Sequence, residues 1–305
     1  MKKQLLFLVN IQAGKAEIKN KALEIIDIFI KGGYEVTVYT SQKEQDLYYY
    51  VIEQGPRYPL LVCCGGDGTL NETVSGLMQL SERPLLGYIP TGTVNDFASS
   101  LGISKNPLQA ASDIIQGVPF ACDLGSFNQR YFSYIAAFGA FTDVAYQTPQ
   151  QFKHRLGRAA YMLEAAKRLP LTMATSYRLQ VEWEEGLVED DFIFGMVTNS
   201  RSVGGFMVSE DEKIAMNDGL LEVTLIRKPQ TVLEMQEIVS LLLTQYFDMA
   251  TAVTFKAREL TVKAAEPLPW TLDGEYGGKV LEASIQNHQQ CLQILTSRDS
   301  VATLR

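Results

Sequence analysis

The sequence predicts an α/β half followed by an all-β half, and three observations carry that reading. The chain has 305 residues, more than a single hydrophobic core comfortably serves, so two domains are the default expectation. From Leu5 to about Leu124, short apolar runs alternate with stretches of helical period, the pattern of a mostly parallel sheet covered by helices. Beyond about residue 128 the texture changes to strand-like segments separated by turn signals, the pattern of antiparallel sheet. The expected domains are 1–127 together with 291–305 for the α/β half, and 128–290 for the β half.

Each element has its own justification. LLFLV at 5–9 is a short apolar run and reads as a first strand. Asn10 and Gln12 break it and no small-residue cleavage pattern follows, so a first strand is expected there rather than a leader peptide. Ile18, Ala22, Ile25, Ile26 and Phe29 form one helical face that Gly32–Gly33 ends. YEVTVYT alternates as a strand, a helix follows over 43–54, and PLLVCC is a buried strand. Thr69 to Glu72 has the spacing of a capping box, which predicts a helix starting near Thr69. LLGYI at 85–89 is the next strand, and Thr93 to Asp96 repeats the capping spacing. In the second half, YRLQVEW, DFIFGMVTN, LLEVTLI, AVTFKARELTVK and KVLEASI read as strands divided by the turns EEG, NDG and DGEYGG. Helical stretches are expected over 157–168 and 231–246, and CLQIL at 291–295 is expected to return to the first domain.

Composition narrows the function classes. With 27 Lys+Arg against 35 Asp+Glu the net charge is −8, which argues against nucleic acid as a partner. Cys63, Cys64, Cys122 and Cys291 form no C-x-x-C pair and have no sequence-adjacent His, so a disulfide framework or zinc site is not expected and reduced, cytoplasmic thiols are. The longest apolar stretches, such as IVSLLL, fall short of the roughly 20 residues of a spanning helix. His154 and His288 have no partners in sequence and receive no role. The basic run KHRLGR reads as a solvated face, with an anionic bilayer as its functional alternative. Phe206 and Met207 read as core, or as an apolar lip for an acyl chain.

CCGGDGTLNE, residues 63–72, puts three glycines and one acid between a strand and a helix N-terminus. Such a loop can bring backbone N–H groups to an anion, or be a turn and nothing more. The Walker pattern G-x-x-x-x-G-K-[ST] is absent, and so is the complete G-x-G-x-x-G. PTGTVNDFA, residues 90–98, repeats the arrangement after the next strand. Two such loops after neighbouring strands would line one crevice.

Through GGDGTLNE and PTGTVNDFA the chain resembles the diacylglycerol kinase catalytic-domain family, the bacterial soluble lipid kinases related to sphingosine and ceramide kinases. NAD kinases and phosphofructokinases are more distant relatives sharing GGDGT. DLG at 123–125, FGA at 138–140, LGRAAY at 156–161, Gly204–Gly205, NDGLLEV at 217–223 and LDGE at 272–275 extend the resemblance along the chain. It implies a phosphofructokinase-like α/β domain, a C-terminal antiparallel β-sandwich, and an active site in the cleft between them. It implies ATP and Mg²⁺ as cofactors and a lipid substrate at the inner face of the membrane, to which the protein would attach peripherally. Gly65, Gly66, Asp67, Gly68 and Thr69 would hold the ATP phosphates, with Asn71 and Glu72 in the same loop and Asp67 relieved of phosphate repulsion by Mg²⁺. Thr91, Gly92, Thr93, Asn95 and Asp96 would form the opposite wall, and Asn10, Gly14 and Lys15 the first-strand loop.

The resemblance makes Glu275 the general base and Asp273 its support in a metal and water network; without it, Asp-Gly is first a hairpin turn. Two acids at i and i+2 on an extended chain would point the same way. Asp218 and the Leu220 carbonyl, joined by Asp123, match a structural Mg²⁺ position. Ile11, Ala13 and Ser99 depart from the family pattern, Ser99 replacing a common Arg. The acceptor stays open between diacylglycerol, giving phosphatidic acid, and other lipids. A soluble NAD-kinase-like enzyme and a lipid- or nucleotide-binding homologue with weakened catalysis are the alternatives, and a homodimer burying an edge strand is a further expectation.

Overall fold

The computed structural model of the chain describes residues 3–12, 17–139, 175–200, 202–203, 206–207, 215–231, 233–234, 238 and 252–304. The chain divides into two compact units. The first holds Met1–Leu124, Ala215–Asp218 and Gln289–Arg305; the second holds Gly125–Ile214 and Gly219–His288.

In the first unit, β1 (Lys3–Val9), β2 (Tyr34–Thr40), β3 (Leu60–Gly65) and β4 (Leu85–Pro90) lie in the order β2-β1-β3-β4. All three pairings are parallel, with Leu6 opposite both Thr37 and Leu61, and Val62 opposite Gly87. β1 and β3 are apolar without alternation because both faces are covered: Leu5 to Leu8 and Leu61 to Cys64 are fully buried. β2, at the end of the order, is only part-buried along its length. Helix α1 (Glu17–Lys31) turns Ile18, Ile25 and Phe29 inward. Phe29 meets Phe7 edge to face at 5.5 Å, and each such burial is worth about 1.5–3 kcal/mol. Gly33, at φ 87°, ends the helix.

Helix α2 (Asp46–Gln54) begins three residues later than expected. The reason is the carboxylate of Asp46, which accepts from the Gln42 N–H at 2.8 Å and the Tyr39 hydroxyl at 3.0 Å and holds the preceding residues in a loop. Helix α3 (Asp67–Leu77) follows β3, and the short α4 (Asp96–Ser100) follows β4. α5 (Pro107–Gln116) is absent from the sequence expectation although its start signal is present: Asn106 accepts from the N–H groups of Leu108 and Gln109, with proline at the first helical position.

The second unit is antiparallel. β5 (Val118–Phe127) crosses into it and turns back as β6 (Arg130–Phe132). β7 (Ile135–Gly139), β8 (Tyr177–Trp183), β9 (Gly186–Thr198), the short pair β10 (Ser202–Val203) and β11 (Phe206–Met207), β12 (Leu221–Arg227), β13 (Ala252–Ala257), β14 (Glu259–Leu272) and β15 (Glu275–Thr296) follow. β9 and β14 each pair with β7 near one end and with β8 near the other, so the pairing closes on itself. Inside lie Phe138, Leu179, Val181, Phe192, Val197, Leu260, Val262 and Trp270. Trp270 packs against Phe127 and Phe138 at 5.0 and 4.9 Å. Arg258 separates β13 from β14 where the sequence suggested one strand, because the Glu184 carboxylate accepts the N–H groups of both Arg258 and Glu259.

KVLEASI and CLQIL are one strand, not two. β15 pairs with β14 through its first part, and its far end returns to the first unit, where Ile294 lies parallel to Leu86. Helix α6 (Arg298–Leu304) follows. The expected helix at 157–168 lies outside the described residues, and of 231–246 only 233–234 and 238 are described as helical. Among the described residues, no helix is long and apolar enough to cross a membrane.

Candidate functional site

In the first unit the two glycine loops meet. β3 runs into Gly66, which sits at the N-cap of α3 with no side chain capping it. β4 runs into Thr91, whose N–H donates to the Gly65 carbonyl at 2.8 Å. Gly66 and Gly92 lie back to back: a Cβ on Gly92 would fall 2.7 Å from the Gly66 Cα. Only glycine permits that approach. Asp67, the first residue of α3, accepts the Asn95 N–H at 3.0 Å and so ties one loop to the other. Asn95 is buried in the left-handed region at φ 57°, and its side chain accepts from the Gly92 N–H at 3.0 Å and donates to the Gly92 carbonyl at 2.8 Å. Asn10, past the end of β1, donates to the Thr69 hydroxyl at 3.1 Å. Asn10, Gly65, Gly66, Asp67, Gly68, Thr69, Thr91, Gly92, Thr93 and Asn95 thus gather where the strands end, the usual ligand position of such a sheet. A Cβ on Gly68 would meet nothing within 4 Å. Gly14 and Lys15 lie outside the described residues.

The two helices do not start where the expected capping boxes would place them. α3 starts at Asp67 rather than near Thr69, and the Thr69 hydroxyl is taken by Asn10. Glu72 reaches the loop before α2, accepting the Gln45 N–H at 2.9 Å. Gln45 caps that helix with φ 61° and no side-chain bond of its own, so a carboxylate from α3 serves in its place. Burial raises the Glu72 pKa, and the Gln45 and Leu47 N–H groups pull it back. Asn71 is part-buried on the same helix. Likewise Asn95, not Thr93, precedes α4; Asp96 is its first residue and is almost fully buried.

Tyr88 was not among the candidate residues. It interrupts the apolar strand β4, is fully buried, and places its hydroxyl 3.3 Å from the Gly65 carbonyl and 3.4 Å from the Asn95 Oδ1. The available signal was a phenol in a run that reads as wholly interior.

Asp123 is fully buried in β5. Its N–H donates to the Met216 carbonyl at 2.8 Å and its carboxylate accepts the Gln290 N–H at 2.7 Å, so the three stretches of the first unit join there. Asp218 is part-buried in that unit, and the Leu220 carbonyl, in the second, accepts from Asn287 at 3.1 Å. Among the described residues no group of three or more His, Cys, Asp or Glu side chains is placed to hold a metal ion; the expected set has two acids and a carbonyl, fewer than such a group but within the one or two carboxylates that serve Mg²⁺. All four cysteines are free. Burial pushes the Cys63 thiol up to about 12 and the Cys291 thiol to about 11, so neither is a nucleophile at neutral pH.

In the second unit, Asp273 and Glu275 do not share an extended segment. Leu272 pairs with Glu275, and the two residues between them, Asp273 and Gly274, have φ 49° and 82°. Positive φ at both positions is what a type I′ hairpin turn needs. Asp273 is buried. Its carboxylate accepts the Ser133 N–H at 2.6 Å, the Tyr134 N–H at 3.0 Å and the Ile135 N–H at 3.1 Å, and its own N–H donates to the Ile135 carbonyl at 2.9 Å. That carboxylate anchors the turn to the chain entering β7. Glu275, one step beyond, is exposed. Arg130 braces the following strand through the Tyr276 and Gly277 carbonyls at 3.2 and 3.0 Å.

His288 Nε2 lies 2.8 Å from the Ser126 hydroxyl, a pairing the sequence did not suggest. His154 and the KHRLGR run lie outside the described residues.

Comparison with known proteins agrees along the chain. Residues 4–127 match the diacylglycerol kinase catalytic domain, and residues 137–296 match the YegS C-terminal NAD kinase beta sandwich-like domain. A diacylglycerol kinase of Bacillus subtilis (strain 168) is 33% identical over 282 residues, covering 90% of this chain and 91% of its own. One of Staphylococcus carnosus (strain TM300) is 30% identical over 308 residues, covering 98% and 97%. The crystal structure of a diacylglycerol kinase from Bacillus anthracis str. Sterne superimposes with a TM-score of 0.81 at 22% identity, covering 98% of each chain, a likeness of fold. These matches support a kinase-type function, and the chain belongs to the diacylglycerol kinase catalytic-domain family.

Proposed function

We propose that this chain is an ATP- and Mg²⁺-dependent lipid kinase that transfers the γ-phosphoryl group to a lipid hydroxyl, with diacylglycerol as acceptor and phosphatidic acid as product. The observation that carries the reading is the closure of two glycine loops around Asp67 at the C-terminal ends of β3 and β4. The uncapped first turn of α3 and the open face at Gly68 suit a polyphosphate. Asn10, Thr69, Thr91, Thr93 and Asn95 shape its walls, and Gly14 and Lys15 are proposed to contact the nucleotide as well.

Asp67 fits a divalent cation, since it is a half-buried carboxylate beside that turn. Mg²⁺ there would supply positive charge against the phosphates. Glu275 acts as general base: it takes the acceptor hydroxyl proton as that oxygen bonds to the γ-phosphorus and the bond to the β-phosphate bridge breaks, releasing ADP. Asp273 holds the turn that presents Glu275. The protein would attach peripherally to the cytoplasmic membrane face. Asp218, the Leu220 carbonyl and Asp123 are proposed to hold a structural Mg²⁺. Protein donors already engage Asp123 and Leu220, but oxygen acceptors carry more than one lone pair.

The second reading, a soluble NAD-kinase-like enzyme, draws on the NAD kinase beta sandwich-like match of the second half. One assay separates the two: labelled ATP and Mg²⁺ with mixed micelles of diacylglycerol, a sphingoid base or phosphatidylglycerol, beside a micelle-free arm containing NAD. Label in diacylglycerol supports the proposal. Label in NAD alone favours the second reading, and nucleotide binding without transfer to any acceptor would remove catalysis altogether.

A further inference from the structure

We infer that Tyr88 is a positioning residue for the nucleotide site, a buried post that sets the spacing of the two glycine loops from beneath. The inference rests on the nucleotide-binding reading above and adds a residue outside both motifs. Tyr88 lies in β4 with no exposed surface, and of the atoms within hydrogen-bond reach of its hydroxyl, one belongs to each loop: the Gly65 carbonyl at 3.3 Å and the Asn95 Oδ1 at 3.4 Å. Both distances are long for an O–H···O bond, as expected of one proton shared between two acceptors. Burial and the nearby Asp67 carboxylate raise the phenol pKa far above its usual value, so the group is a donor throughout the physiological range.

Stability does not explain the hydroxyl. The Gly65 carbonyl already accepts the Thr91 N–H at 2.8 Å, and Asn95 Oδ1 already accepts the Gly92 N–H at 3.0 Å. Phenylalanine at 88 would therefore strand neither acceptor, and it would bury no hydroxyl. What the hydroxyl adds is a link. Asn95 grips Gly92 with its side chain and Asp67 with its backbone N–H. Fixing Asn95 relative to Gly65 therefore fixes the Asp67 carboxylate and both glycine turns as one body, and pre-organisation of that kind is read in affinity rather than in folding.

The test is Tyr88→Phe, with Tyr88→Leu as a variant that also removes the ring. The expected result for Tyr88→Phe is a midpoint of thermal unfolding within about 2 °C of the parent and a dissociation constant for Mg·ATP raised about 3- to 10-fold by calorimetry. Amide hydrogen exchange should quicken together at 65–67 and 91–96 while β1 and β2 keep their protection. Tyr88→Leu should lower stability as well. Unchanged nucleotide affinity and exchange in Tyr88→Phe would overturn the inference and leave the kinase reading standing. Failure of the parent protein to bind Mg·ATP would overturn the nucleotide reading and this role with it. Quickened exchange spread evenly over the first unit would show a packing role only and would also overturn it.

Discussion

Asp273→Asn tests whether the buried acid of the hairpin turn is an anchor. Asparagine is nearly isosteric and tolerates the left-handed backbone at φ 49°, so the substitution isolates the carboxylate. Oδ1 serves Tyr134 and Ile135, and Oδ2 serves Ser133. An amide keeps one oxygen for the pair and turns its NH₂ toward the Ser133 N–H, a donor facing a donor. One charge-assisted bond is lost, one buried N–H is left unmet and two bonds become neutral, a cost of about 2–4 kcal/mol. For a unit of about 160 residues that lowers the unfolding midpoint by about 5–15 °C. Both tryptophans, Trp183 and Trp270, lie in the second unit, so intrinsic fluorescence during heating reports on the right half of the chain. Asp273→Ala, which removes all three acceptor contacts, should cost more. An Asp273→Asn midpoint within 1 °C of the parent, whatever its activity, would refute the anchoring argument.

Gly68→Ala should leave the fold intact or stabilise it by up to about 1 kcal/mol, since helical alanine outranks glycine and nothing lies within 4 Å. It should nevertheless weaken Mg·ATP binding if phosphates occupy that space; titration calorimetry beside thermal unfolding reads both. Gly65→Ala should fail in both respects, because its Cβ would run into the Thr69 side chain. Glu275→Gln should keep nucleotide affinity and lower turnover about 10²- to 10⁴-fold, measured with saturating acceptor in mixed micelles; full turnover would remove the base. Glu72, its pKa raised above 4.5 by burial, contributes stability that is full below about pH 4.5 and is lost as pH rises through the folded value. Glu72→Gln should therefore gain on the parent between pH 4 and 7 in urea unfolding, and a difference flat with pH would contradict the assignment.

What the sequence made legible was local. The unbroken apolar runs of β1 and β3 announced strands covered on both faces, and glycine beside an acid marked both loops. Partner choice was invisible where partners are distant. Thr69 and Glu72 have capping-box spacing, yet one answers Asn10, 59 positions away, and the other Gln45, 27 away. Asp273 and Glu275 look like an extended pair until the turn geometry is known, and the partners of Asp273 lie about 140 positions upstream. Periodicity reports which face is inward and carries no information about which donor will be waiting there. Tyr88 escaped for the same reason: a phenol in a core strand is conspicuous only once its two acceptors are located.

The return of β15 to the first unit sets a timetable for biosynthesis. Arg83, just ahead of β4, donates to the Cys291 carbonyl 208 positions later, and Leu86 waits for Ile294. At translation speeds of about 5–20 residues per second, that neighbour of β4 reaches it some 10–40 s after β4 itself has left the ribosome. Throughout that interval the nascent α/β half carries an unzipped, strongly apolar border, open to chaperones and to sister chains alike.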